Sequence, residues 1–149
     1  MSRSELRLRY IPEDEWTGDL VAKVHSDGFS GSGSAHFDRT YVKETFITAL
    51  SEFPLIAEHP PTIEGGFLKN GVIDQCHLRL TVTPYDSKGH LVACVELATP
   101  VWKTASQDKQ QMVTARYLTS YEAVSRFARE LEAMLEGNAE EAVLQSDDA

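Results

Sequence analysis

From Leu20 to Asp38 the chain reads LVAKVHSDGFSGSGSAHFD, and its period of two constrains the fold more than any other feature. Leu20, Ala22 and Val24 share one face. After Asp27-Gly28, so do Phe29, Gly31, Gly33, Ala35 and Phe37. Asp-Gly is a strong two-residue hairpin turn. Pairing Ser26 with Phe29 sets Val24 against Gly31, Ala22 against Gly33 and Leu20 against Ala35, all on the inner face. A slip of one residue would turn the apolar set outward, so the register is defined. The two glycines leave room for another element, expected to be a helix, to approach the sheet closely.

The same stretch fails as a chemical motif. A phosphate loop needs lysine where Ser34 stands, a dinucleotide loop needs glycine at His36, and a nucleophile elbow around Ser30 needs glycine at Ser32. A flexible Gly/Ser linker would show neither the alternation nor the flanking phenylalanines.

Further elements follow from the same two periods. Leu6, Leu8 and Tyr10 alternate with Arg7 and Arg9, giving a short strand. Val42, Phe46, Ala49, Leu50 and Phe53 form a helical stripe that Asp38 or Thr40 caps and Pro54 ends. Asn70-Gly71 marks another turn, although Asp74-Gln75 interrupts the alternation beyond it. Cys76, Leu78, Leu80 and Val82 then face inward, with His77 and Arg79 outward. Pairing Tyr85 with His90 across the turn Asp86–Gly89 sets Leu80 against Val95, Leu78 against Leu97 and Arg79 against Glu96. Cys94 faces outward in this phase, so it and Cys76 form no disulfide. Residues 102–111 read as a polar loop and 112–118 as a strand. Thr119-Ser-Tyr-Glu122 reads as a capping box for a helix with the stripe Tyr121, Val124, Phe127, Ala128, Leu131 and Leu135, ended by Gly137.

The predicted order of elements implies an α+β fold: an antiparallel sheet of about five to seven strands with two helices packed on one face. Residues 1–137 make one domain. Residues 138–149 carry four acids and no bases and are expected to be a disordered acidic tail.

The formal net charge of -9 argues against a nucleic-acid binder and against an electrostatic anchor on anionic lipid, and it suits a basic protein partner. No apolar run reaches the length of a membrane span and no secretory leader is visible, so a cytoplasmic location is expected. No catalytic set, metal site or cofactor motif emerges. His36 opposes Asp19, but His25 pairs with Ser30, roughly 20 Å away along the strand. Cys76-His77 are neighbours on a strand and point to opposite faces, which is poor for a thiolate dyad. The loop Glu13-Asp14-Glu15-Trp16 places an aromatic anchor among acids and is the candidate partner-binding site. Trp102-Lys103 poses a similar question more weakly.

The hairpin Gly28-Phe-Ser-Gly31…Ala35-His-Phe-Asp38, the helix ending Phe53-Pro54-Leu55, the turn at Lys88-Gly89 and the closing Tyr121…Phe127-Ala128…Leu131 together resemble a group of small bacterial proteins of uncharacterised role. Some of these are similar to immunity proteins encoded beside polymorphic toxins. The resemblance spans about residues 18–136 and rests on structural positions. It implies no catalytic residue, and it favours a non-enzymatic protein-binding domain, such as an immunity-like inhibitor of a basic toxin. The alternative is a small-ligand-binding or enzymatic α+β domain with a pocket near Gly31 and Gly33. A third reading is a homo-oligomer that self-associates through an exposed sheet.

Overall fold

The computed structural model describes residues 3–102 and 109–147. Four antiparallel strands form the first sheet: β1 (Glu5–Pro12), β2 (Thr17–Ser26), β3 (Phe29–Asp38) and the C-terminal β8 (Ala142–Gln145), in the order β3-β2-β1-β8. The second sheet is a meander of β4 (Thr62–Lys69), β5 (Val72–Pro84), β6 (His90–Ala98) and β7 (Met112–Ser120), in the order β4-β5-β6-β7. One helical run joins the sheets, made of α1 (Arg39–Tyr41), a π-helical segment (Val42–Ile47) and α2 (Thr48–Leu50). A longer helix, α3 (Tyr121–Leu135), links β7 to β8.

The α+β class and the antiparallel pairing hold, but one sheet of five to seven strands with both helices on one face does not. The strands divide into two sheets that pack on each other, and the glycine-rich face of β3 receives the second sheet rather than a helix. A Cβ at Gly31 would lie 2.5 Å from a Val113 methyl on β7. One at Gly33 would meet Leu97 of β6 and the His77 carbonyl of β5, and one at Gly65 of β4 would meet Phe37 and Ala35. Successive inward positions of β3 thus step across the partner sheet from β7 to β4. Period-two alternation shows which side chains are buried and leaves open what buries them.

Hairpin register follows the sequence pattern. Val24 opposes Gly31, Leu20 opposes Ala35, Leu80 opposes Val95 and Arg79 opposes Glu96. Asp27 and Gly28 both take positive φ, as do Asn70 and Gly71, the conformation that a tight two-residue hairpin turn demands. The interruption near Asp74 is a pair of register shifts between β4 and β5, the first at Gly65/Gly66 opposite His77. This bulge reverses the expected phase: His77 is buried, and Cys76 moves to the outer side, where Arg79 influences its thiol. Both cysteines are free.

The core joins both sheets to the helices, with Phe46 and Phe127 among its largest fully buried side chains. The π-helical turn shifts the buried stripe to Val42, Phe46, Ile47 and Leu50, leaving Phe53 exposed against Tyr121. Asp38 caps the first helical run by accepting from the Tyr41 amide. The cap of α3 is Ser120, one residue after the expected Thr119. Ser120 accepts from the Ala123 amide, and Thr119 donates to the Gln145 carbonyl.

Where a disordered acidic tail is expected, residues 142–145 form β8 beside β1, with Ala142 and Leu144 fully buried. Ala142-Val143-Leu144 is one contiguous apolar run within the acidic segment, too brief to stand out against its charge, and only its burial alternates. Among the described residues no helix is long and apolar enough to cross a membrane.

Candidate functional site

The loop between β1 and β2 contains the predicted partner-binding residues Glu13, Asp14, Glu15 and Trp16. Asp14 organises it. One carboxylate oxygen accepts from the Trp16 and Thr17 amides at 2.8 Å each and from the Thr17 hydroxyl at 3.1 Å. The Glu13 and Asp14 amides donate to the Thr17 carbonyl, and the Arg39 amide donates to the Trp16 carbonyl at 2.8 Å. These bonds favour the ionised form and hold the Asp14 carboxyl below its ordinary range. With its backbone fixed in this way, the loop holds the Trp16 ring 62% exposed.

His36, opposite Asp19 as the hairpin register requires, links the loop to the sheet. Its Nδ1 lies 2.9 Å from Asp19 and its Nε2 lies 3.3 Å from Glu13. Glu15 has no charged partner among the described residues. Asp38 and the half-exposed Tyr41 stand next to the loop through the Arg39 contact. The surface is therefore acidic and aromatic, and it is structured before any partner arrives.

Beside it, a groove of about 670 Å³ runs between residues 9–12 of β1 and the turn after α3. Sequence reasoning missed it, because its walls come from β1, β2, α1 and residues 134–140 and no local pattern joins them. Arg39 donates from Nη1 to the Leu135 carbonyl at 3.0 Å, anchoring its guanidinium against the C-terminal end of α3. Its Nε and the Tyr10 hydroxyl are buried without a partner among the described residues. Burial raises the Tyr10 pKa, so the phenol stays protonated, although the Arg39 charge opposes this in part.

The interior elsewhere is filled. The space expected at Gly31 and Gly33 is taken by Val113 and Leu97. His77 packs edge-on against Phe67 at 4.5 Å and donates from Nε2 to the Gln75 side-chain oxygen at 2.5 Å; burial lowers its pKa. Gln75 in turn holds both backbone groups of Val101. Trp102 rests on Phe67 and is 80% exposed, and Lys103 lies outside the described residues. Burial raises both cysteine thiols, so neither resembles an activated nucleophile. Among the described residues no three His, Cys, Asp or Glu side chains gather into a possible metal site. Neither a protein-family description, nor a curated protein, nor a solved structure matches this chain.

Proposed function

We propose that the protein is a non-enzymatic cytoplasmic module that binds a basic protein partner through the loop Glu13–Trp16, in the manner of an immunity-like inhibitor of a basic toxin. The observation that carries this reading is the exposure of Trp16 on a loop whose backbone Asp14 fixes. An aromatic residue whose backbone is ordered before binding loses less entropy on association than one on a mobile loop, and aromatic anchors of this kind dominate interface energies. The surrounding acids and the chain's net charge of -9 suit a basic surface and accelerate encounter with it.

The test compares wild-type protein and Trp16→Ala as bait, at low and moderate salt. The expected result is a stoichiometric basic partner that is held by the wild type, released as salt rises, and weakened by at least ~2 kcal/mol in the variant while the melting temperature is kept. Equal retention by the variant, or no retained protein at either salt, refutes the assignment. The small-ligand alternative loses its place at Gly31 and Gly33, and the groove at Arg39 is the observation that favours it.

A further inference from the structure

We propose that the groove between β1 and the C-terminal turn of α3 binds a small organic carboxylate with an apolar body. This site is separate from the protein-binding reading of the adjoining loop. Strand β8 covers β1 only from Glu5 to Leu8, so residues 9–12 have no neighbouring strand on that side and border the open groove. Its volume of about 670 Å³ suits a small molecule. Ile11, Pro12 and Met134 supply apolar wall.

The charged groups are in basic excess, three cations to two carboxylates. Arg9, Lys23 and Arg39 all line the groove, and Arg9 and Lys23 have no ion-pair partner among the described residues. Of the two acids there, Glu136 is held by Lys43 at 2.8 Å, so Glu140 opposes the cations within the groove, while the carboxylates of Asp14, Asp38 and Asp19 act on the Tyr10 hydroxyl from the loop side and Arg39 offsets them. A cationic groove on a chain of net charge -9 departs from the surface as a whole.

The two orphaned groups decide the ligand's chemistry. Arg39 Nε is a donor only, and the Tyr10 hydroxyl, kept protonated by burial, can donate as well. Buried donors without acceptors are costly, and a carboxylate accepts from both. Both atoms lie beneath the surface, so the ligand reaches them after a side-chain rotation of Arg39 about its Leu135 anchor.

The experiment is an NMR titration of the full chain with 3-phenylpropionate, its neutral amide, and inorganic phosphate. The expected result is saturable shifts at residues 9–12, 39 and 134–140 with the carboxylate, at a dissociation constant of about 1 mM or lower. The amide, lacking charge-assisted bonds, binds at least roughly tenfold more weakly. Tyr10→Phe and Lys23→Gln each weaken carboxylate binding several-fold. Lys23 lies on an exposed strand position away from the α3 cap, so its variant stays informative if Tyr10→Phe is destabilised. A capped tripeptide ending in a phenylalanine carboxylate separates the two sources of the group. Tighter binding than the free acid assigns the groove to a chain terminus, and weaker binding assigns it to a free small molecule. Absence of saturable shifts, equal binding of the amide, phosphate binding as tight as the organic acid, or unchanged affinity in both variants overturns the proposal.

Discussion

Substituting Gly31 by alanine tests the packing of the two sheets directly. The added methyl would lie 2.5 Å from Val113 Cγ1 and 3.1 Å from its Cβ. Valine is stiff about χ1, so relief requires movement of β3 or β7. Overpacking of this kind costs about 1–3 kcal/mol, and the reduced entropy of the unfolded chain returns about 0.4–1 kcal/mol. The expected net loss lies between about 0 and 2.6 kcal/mol, with a central value of about 1.3 kcal/mol, read as a lower urea midpoint with unchanged slope. Val113→Ala alone, at a half-buried position, should cost about 1 kcal/mol. Combined, the two changes should recover about 1–2 kcal/mol relative to their sum, because the clash partner is gone. Gly28→Ala is the control: that glycine sits at φ +86 in open space, so its penalty comes from the backbone and Val113→Ala cannot relieve it. A Gly31→Ala variant more stable than wild type, or a coupling near zero, would refute the reasoning.

Other predictions address the C-terminal strand, a buried histidine and the acidic loop. Leu144, fully buried in β8, should lose about 2–5 kcal/mol on truncation to alanine, whereas a frayed tail would tolerate the change with no shift in denaturant midpoint. His77 has a folded pKa below its ordinary value of 6.5, so the unfolded chain binds the proton more readily. Stability should therefore fall as pH drops below about 6.5 and level off below the folded pKa. His77→Gln should flatten that part of the profile, measured by urea unfolding across pH. Asp14 has the same sign of linkage in a more acidic window: its carboxyl is held below 3.8, so loop order is fully present above that pH and is lost as pH falls through the lower, folded value. The Trp16 and Thr17 amide resonances should report this transition and should lose their downfield positions in Asp14→Ala at neutral pH.

Local pattern made the hairpins readable. Asp27-Gly28 and the four-residue turn Asp86–Gly89 each mark a hairpin, and alternation on either side fixes the pairing of Ala22 with Gly33 and Leu80 with Val95. What lay beyond local pattern was the second partner of each face. The same glycine stripe accommodates a helix or a sheet, and only the long-range contacts of Val113 and Leu97 decide between them. The phase at Cys76 differs because one extra residue at the first bulge inverts the side chains that follow it, up to the second shift at Phe67/Leu68, and Gly66 is the local hint. The acidic loop was legible because its residues are contiguous. The groove was not, because Tyr10, Lys23, Arg39 and Glu140 meet only when β1, β2, the first helical run and the end of α3 come together.

Loop and groove meet at Arg39, whose amide holds the Trp16 carbonyl while its guanidinium holds the Leu135 carbonyl. A single residue thus carries a backbone bond to one surface and a side-chain bond to the other. The arrangement separates two possibilities that share every static observation. If the surfaces act independently, Trp16→Ala should leave carboxylate titration unchanged, and Lys23→Gln should leave partner capture unchanged, since the backbone bond at Arg39 survives both substitutions. If they form one site, in which a partner places a carboxylate in the groove while its basic surface meets the acidic loop, each substitution should weaken partner capture. Saturating 3-phenylpropionate should then compete with the partner. Competition is the sharper measurement: it needs no substitution, leaves the Asp14 and Arg39 bonds intact, and gives opposite answers for the two cases.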